Sequence, residues 1–379
     1  MTLTPIIDRV LSGQAVNPEE ALRLYNELPL SEIGILANER RESIVTHPDI
    51  ATYIIDRNIN YTNVCNADCI FCAFYRKPGH AEGYTHSYES LEQKVSETIA
   101  LGGNQILLQG GHNPELGIEY YENLFRHLKT KFDIKLHALS PSEILHITEV
   151  SKIPIETVLQ RLIDAGLDSI PGGGAEILVD GVRKKLMRHK VSSQEWLDVM
   201  EKAHGFGLRT TATMMFGHVE TVPERIEHML KLEALQRKTG GFTAFISWTF
   251  QKENTKLQKG DFYVSPNEYL RTLALSRLIM PSFVNFQVSF VTLGKETATL
   301  GLHFGGNDYG SAMIEENVVK AAGADNPMTE LDIRREIRLA GFIPRRRTMQ
   351  YELLADSPRI VEQELRLAAH SEKTLATLQ

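Results

Sequence analysis

Short β-rich runs alternate with amphipathic stretches along most of the chain after residue 51, and this alternation limits the fold more than any other feature. Eight runs are strand candidates: YIIDRNINYT, QILLQ, IKLHALS, DSIPG, RTTATMMFG, TAFISWTF, VNFQVSFV and TLGLHFG. Strands that alternate with helices form parallel βαβ units. Eight such units predict an α/β fold of the TIM type, a complete or near-complete (β/α)8 barrel. An open doubly wound sheet is the alternative.

The segments on either side of these runs predict helical additions to the barrel. Asn17, Pro18 and Glu20 have the N-cap, N1 and N3 chemistry of a helix start. We therefore expect residues 1–50 to form a helical N-terminal cap and residues 51–310 to form the barrel. Residues 311–379 are expected to form a helical C-terminal extension packed on the barrel.

A barrel of this type carries its active site on the loops that follow the strands. Polar sequences occur at those places: a cysteine-containing loop after the first strand, then QGGHN, HALS, PGGGAEI, FGHVET and GGNDYGS. The sequence therefore predicts a functional site at the carboxyl end of the barrel.

The composition and the lack of targeting signals predict a cytoplasmic globular protein. The net charge of −7 argues against a nucleic-acid partner. Asp8 and Arg9 fall where a signal peptide would need its apolar stretch, and the uncharged segments do not read as membrane spans. In the reducing cytoplasm, clustered cysteines indicate metal binding or catalysis more than disulfides.

All three cysteines of the 379-residue chain lie within eight positions. Cys65, Cys69 and Cys72 form a C-x3-C-x2-C pattern, and three thiolates on one loop can hold one iron–sulfur cluster. Three protein ligands leave one iron of a 4Fe–4S cluster open for a small molecule. The alternative is a zinc site with His80 or water as the fourth ligand.

The cysteine pattern, with the aromatic Phe71 before its last cysteine, resembles the radical S-adenosylmethionine (radical SAM) superfamily. The resemblance implies a 4Fe–4S cluster whose open iron binds S-adenosylmethionine (SAM), reduced by a low-potential electron donor that the sequence does not identify. It also implies that Phe71 lies beside the cofactor and that Gly110 and Gly111 present backbone to the methionine amino group of SAM. Glu176 in PGGGAEI is then expected to bind the ribose or amino group of SAM, and Arg188 its carboxylate.

A narrower resemblance extends over nearly the whole chain. CxFCAFYR, LLQGGHNPELGIEYYENLF, HALSPSEI, SIPGGGAEIL, TTATMMFGHVET, FISWTFQ and GGNDYGSAMIEENVV together resemble the dehypoxanthine futalosine cyclases of the futalosine route to menaquinone. The implied reaction removes the ribose C4' hydrogen of dehypoxanthine futalosine with a 5'-deoxyadenosyl radical, and the sugar radical then adds to the benzoate ring. His112 after the glycines favours the cyclase over aminofutalosine synthase. A non-catalytic iron–sulfur protein is the more distant alternative.

The implied cyclisation needs a base, because the ring must lose one electron and one proton to regain aromaticity. His112, Asp308 and Glu315 are the candidates for this base, in loops expected to face the barrel mouth. The substrate carboxylate calls for a cation, and Arg345, Arg346 and Arg347 form a cluster that can supply one. The candidates for substrate binding are Tyr75, Asn113, His137, His218 and Asn307.

Overall fold

A computed structural model describes residues 2–187 and 191–366, and its centre is one sheet of ten parallel strands. The strands are β1 (Ile50–Ile54), β2 (Asn58–Ile59), β3 (Gln105–Leu108), β4 (Lys135–Ala138), β5 (Ser169–Ile170), β6 (Arg209–Phe216), β7 (Phe242–Thr249), β8 (Asn285–Gln287), β9 (Asp308–Ser311) and β10 (Ile343–Arg346). Their spatial order is β10-β1-β9-β8-β7-β6-β5-β4-β3-β2. The fold is the predicted TIM-type barrel with extensions.

The barrel closes at its first strand. β1 and β2 are two parts of one interrupted strand; β1 pairs with β9, and β2 pairs with β3. Asp56, in the interruption, bonds to both neighbours: it accepts hydrogen bonds from Gln105 of β3 (Nε2 to Oδ2, 2.6 Å) and from Ser311 of β9. The first and eighth barrel strands therefore meet at residues 50–59.

Helices follow most strands and cover the outside of the sheet. They are α1 (Thr4–Leu11), α2 (Pro18–Glu27), α3 (Leu30–Ile44), α4 (Tyr88–Ala100), α5 (Ile118–Lys131), α6 (Pro141–Ser151), α7 (Ile155–Ala165), α8 (Asp180–Leu186), α9 (Ser193–Gly205), α10 (Val222–Thr239), α11 (Pro266–Ile279), α12 (Phe290–Gly301), α13 (Val318–Ala321) and α14 (Glu330–Leu339). The predicted start of α2 is confirmed, since Asn17 and Glu20 form a reciprocal capping box. In the part of the chain described, no helix is long and apolar enough to cross a bilayer.

Two sequence expectations were wrong in detail. The run TLGLHFG is not the eighth strand, because its first residues complete α12 and the strand begins later, at Asp308. A short apolar run does not by itself distinguish a buried helix end from a strand. The C-terminal extension is also not purely helical: β10, with the polar sequence IPRR, pairs with β1.

Candidate active site

A cavity of about 400 Å³ lies inside the barrel, between the strands and the loops at their carboxyl ends. The cysteine loop after β2, the glycine turn after β3 and the segments after β4, β5 and β9 all contribute to its wall. Arg347, Met349 and Tyr351, which follow β10, line it as well. Five of the six predicted polar segments therefore contribute to one cavity, whereas FGHVET contributes no residue to its wall.

The cysteine loop presents all three thiols to this cavity. Cys65 and Cys69 are buried, and Cys72 is half-buried. Backbone hydrogen bonds anchor the loop at two points: the Cys65 amide donates to the Arg76 carbonyl at 2.8 Å, and the Ile70 amide donates to the Leu186 carbonyl at 2.9 Å. The thiols are thus held on a loop anchored by its backbone.

The two glycines after β3 allow the chain to pass unusually close to this loop. A Cβ on Gly111 would lie 2.2 Å from the Val64 carbonyl oxygen and 2.9 Å from the Cys65 Cβ. A Cβ on Gly110 would lie 2.7 Å from the Tyr61 ring. A side chain at either position would therefore displace the cysteine loop or the wall behind it.

Glu143 holds the glycine turn through a hydrogen bond to its backbone, and the sequence analysis missed this residue. It is buried and lines the cavity, and its Oε1 accepts hydrogen bonds from the Gly110 amide at 2.8 Å and from the Tyr61 hydroxyl at 2.9 Å. Its Oε2 accepts from the Ser140 amide at 2.7 Å, as part of the capping box that starts α6. Burial raises the pKa of Glu143, against the effect of these donors. The sequence S-P-S-E, which has the spacing of a capping box, could have indicated that Glu143 lies at a helix start.

The residues present fit an iron–sulfur cluster with a bound small molecule. Three thiols, which are the ligands that such clusters take, face a cavity, and a glycine turn without side chains adjoins them. Among the residues described, no three His, Cys, Asp or Glu side chains converge on a point that could hold a single metal ion. A cluster differs from a single ion because each thiolate binds a different iron. Phe71 and Glu176, predicted to accompany the cofactor, also line the cavity.

Three of the remaining predicted residues line the cavity: Tyr75, His112 and His137. The Tyr75 hydroxyl donates to Asp68 Oδ1 at 3.0 Å. The His112 ring stacks on the His146 ring, with 5.0 Å between centroids. Burial, with a contribution from the Arg347 charge, lowers the pKa of His137 to about 3, so its imidazole is neutral near pH 7.

Three predicted substrate-binding residues do not line the cavity, and their side chains support the surrounding backbone. Asn113 accepts a hydrogen bond on Oδ1 from the Glu115 amide at 3.0 Å. The buried His218 lies with Nε2 3.0 Å from the Met215 carbonyl. Asn307 accepts on Oδ1 from the Phe286 amide at 2.8 Å and from Arg277 at 2.9 Å.

Two of the three predicted bases are also placed away from the cavity. Asp308 is completely buried and ion-paired with Arg347, whose Nη2 lies 2.9 Å from its Oδ1, and it accepts a hydrogen bond from Thr52 at 2.5 Å. Glu315 is paired with Lys94 Nζ at 2.7 Å and with Arg57 Nε at 3.2 Å. Partial burial works against a lower pKa at Glu315, but the hydrogen bonds and charges of its partners hold the pKa below its ordinary value.

Besides Glu143, two more carboxyl residues that the sequence analysis did not single out line the cavity. Glu316, directly after Glu315, lines the cavity, and so does Asp56 at the strand interruption. Of the arginine cluster, Arg347 alone reaches the cavity within the described part of the chain. Sequence periodicity does not predict these orientations, because the segments after β9 and β10 are irregular. The predicted Arg188 lies outside the described residues.

Comparison with known proteins shows which family the chain resembles. The radical SAM superfamily profile matches residues 59–232, and the profile described as the CofH/MqnC C-terminal region matches residues 239–360. A cyclic dehypoxanthine futalosine synthase of Halalkalibacterium halodurans is 44% identical over 93% of this chain and 95% of its own length. One from Streptomyces coelicolor is 43% identical over 98% of this chain and 94% of its own length.

The chain belongs to the radical SAM superfamily, in the cyclic dehypoxanthine futalosine synthase family. An aminodeoxyfutalosine synthase of Thermus thermophilus is less similar, with 36% identity over 92% of this chain and 95% of its own length. The chain is thus an enzyme, and superfamily membership implies a 4Fe–4S cluster and SAM.

Solved structures agree on the fold. Methylornithine synthase (PylB) superposes with a TM-score of 0.67 at 17% identity, covering 90% of this chain and 97% of its own. The [FeFe]-hydrogenase maturase HydG superposes with a TM-score of 0.69 at 15% identity, covering 92% of this chain and 76% of its own. At these identities the likeness concerns the barrel and not the substrate.

Proposed function

We propose that this enzyme cyclises dehypoxanthine futalosine to cyclic dehypoxanthine futalosine in menaquinone biosynthesis. The observation that carries the proposal is the position of Cys65, Cys69 and Cys72 on one loop of the barrel cavity, beside the backbone of Gly111. The family of the chain indicates the substrate, and the barrel cavity offers a partly enclosed space in which a radical can react.

The three cysteines are proposed to hold the cluster, which leaves one iron open. When bound, the cluster and SAM supply the 5'-deoxyadenosyl radical that removes the ribose C4' hydrogen. We further propose that the Gly110–Gly111 backbone lies against the methionine part of SAM, and that Glu176 binds its ribose or amino group. Phe71 then packs beside the cluster, and Arg188 remains a predicted partner of the SAM carboxylate.

The substrate is proposed to lie in the barrel cavity, beside the side chains of Tyr75, which follows the last cysteine, and His137 of β4. The neutral His137 can exchange hydrogen bonds with substrate hydroxyls without adding charge. Arg347 is the basic residue that lines the cavity among those described, and it is the proposed partner of the substrate carboxylate. Asn113, His218 and Asn307 would act indirectly, through the backbone that they hold.

Two further proposals concern the surroundings of the enzyme. Reduction of the cluster requires a low-potential one-electron donor. Because clustered thiols persist in a reducing compartment, we propose that the enzyme works in the cytoplasm.

An anaerobic assay tests the proposed function. The enzyme is reconstituted with iron and sulfide, reduced, and given SAM with dehypoxanthine futalosine, and the products are followed by mass spectrometry. The expected product has lost two hydrogens and appears together with 5'-deoxyadenosine. Formation of deoxyadenosine alone would contradict the substrate, and a loaded cluster that cleaves no SAM would contradict the enzyme function. Parallel reactions with the substrate of aminofutalosine synthase separate the two related activities.

A further inference from the structure

Two adjacent glutamates after β9 have opposite environments. Glu315 is held outside the cavity by Lys94 and Arg57, as described above. Glu316 is half-buried and lines the cavity. The one of the pair that can meet a bound substrate is therefore Glu316.

The Glu316 carboxylate is held in a fixed orientation. Its Oε1 accepts hydrogen bonds from the Val318 amide at 2.7 Å and the Val319 amide at 2.9 Å, and its Oε2 accepts one from Asn58 Nδ2 at 2.7 Å. A carboxylate oxygen can accept two hydrogen bonds, so Oε2 retains the capacity for one more partner. Burial raises the pKa of Glu316 above its ordinary value, and the nearby Asp56 contributes in the same direction. The carboxylate therefore binds a proton more readily than it would in water.

Of the three other carboxyl residues in the cavity wall, Glu176 is proposed to bind SAM, and the remaining two are less suited to receive a proton from substrate. Glu143 already accepts two hydrogen bonds on each of its oxygens. Asp56 is 5% exposed and is committed to Ser311 and Gln105 across the barrel closure. Glu316 combines access to the cavity with an oxygen that has remaining acceptor capacity.

We propose that Glu316 is the catalytic base that removes the ring proton after cyclisation, an inference that rests on the proposed function. In this step the C–H bond breaks at the ring carbon that has bonded to ribose C4'. The proton goes to Glu316 Oε2, and the electron pair of the bond enters the ring π system. One electron then leaves to a one-electron acceptor of the iron–sulfur class, which restores the aromatic ring.

The test compares Glu316→Gln with Glu315→Gln under the anaerobic assay. Glutamine keeps an oxygen for the Val318 and Val319 amides but is not a base. We expect Glu316→Gln to form 5'-deoxyadenosine, but the ratio of cyclised product to 5'-deoxyadenosine should fall by about 10²-fold or more. This magnitude is typical of the loss of a general base. Glu315→Gln is expected to keep the wild-type ratio. C4'-deuterated substrate should still transfer deuterium to deoxyadenosine in the Glu316→Gln variant.

A second variant separates a base from a structural cap. Glu316→Ala is assayed with and without added formate, and we expect formate to raise the yield of cyclised product because it replaces the missing carboxylate. If wild-type enzyme makes no cyclised product, the proposed function fails. If wild type cyclises but Glu316→Gln keeps the wild-type ratio, or loses deoxyadenosine and product together, the base assignment is overturned and the function stands.

Discussion

At the scale of single residues, the positions without side chains shape the site as much as the reactive groups do. Gly111 is a clear case, because any Cβ there would meet the carbonyl of Val64, one residue before the first cysteine. The contact is with backbone, which cannot rotate away as a flexible side chain can. The geometry of the cysteine loop therefore depends on the absence of one methyl group.

Gly111→Ala is expected to displace the cysteine loop. Overpacking of this kind costs about 1–3 kcal/mol, and a misplaced reactive group commonly slows a reaction by about 10²-fold. The measurement is the rate of 5'-deoxyadenosine formation by the reconstituted enzyme. Gly205→Ala is the matched control, since a Cβ at Gly205 would meet no atom within 4 Å. Equal rates for the two variants would contradict the expected displacement.

Replacing Cys65, Cys69 or Cys72 with Ser, one at a time, is expected to abolish assembly of the cluster. A cluster with three protein ligands does not tolerate the loss of one, so iron and sulfide should fall from about four of each per chain to near background. The exposed Asn66, within the same loop, gives the control Asn66→Ala, which should retain both. A serine variant with full iron content and full turnover would refute the ligand assignment.

At the scale of elements, β10 joins the end of the described chain to the barrel interior. It pairs with β1, and the residue that follows it, Arg347, forms a buried ion pair with Asp308 at the start of β9. Burial works against a charged Arg347, but the Asp308 carboxylate favours the charged form and raises its pKa above the ordinary value. The ion pair therefore links the end of β10 to β9. It also holds Arg347 in the wall of the cavity.

Asp308→Asn is expected to lower the free energy of unfolding by about 3–5 kcal/mol, because it leaves a buried guanidinium without its counter-ion. Urea denaturation of the wild type and the variant measures the difference. Glu362→Gln breaks an exposed ion pair with Arg366 and should leave the denaturation midpoint unchanged. Equal midpoints for all three proteins would show that the Asp308–Arg347 pair does not fasten β10.

At the scale of the whole molecule, the barrel and the loops that form its site followed from the sequence, whereas several side-chain directions did not. The alternation of strands and helices can be read from the periodicity of apolar residues, and the site loops from the polar sequences that follow the strands. Whether Glu315 or Glu316 faces inward depends on irregular backbone after β9. β10 escaped prediction because IPRR has no apolar alternation, and its strand exists only through pairing with β1.

Buried neutral histidines are expected to make the whole protein less stable in mild acid. Burial lowers the pKa of His228 to about 3, below its ordinary value of 6.5. The unfolded chain therefore binds a proton that the folded chain does not, and stability is lost as the pH falls below 6.5. Between about pH 7 and about pH 5.5, this one group should remove about 1 kcal/mol of stability.

His228→Gln should remove that share of the acid sensitivity. Urea denaturation at both pH values gives the change in stability for each protein, and the change should be smaller in the variant by about 1 kcal/mol. The comparison uses the change with pH, so a uniform loss of stability in the variant does not affect it. The same change in both proteins would show that His228 is protonated in the folded state.

The closure of the barrel at its first strand has a consequence for the order of events during synthesis. Thr52 of β1 and its partner Asp308 of β9 are 256 residues apart, and β10 follows later still. A ribosome releases β1 long before either neighbour exists, so this strand waits with an open edge while the rest of the barrel is translated. Such an edge can pair with other nascent chains. The contacts that close the barrel therefore form last, and until then the N-terminal half is exposed to aggregation.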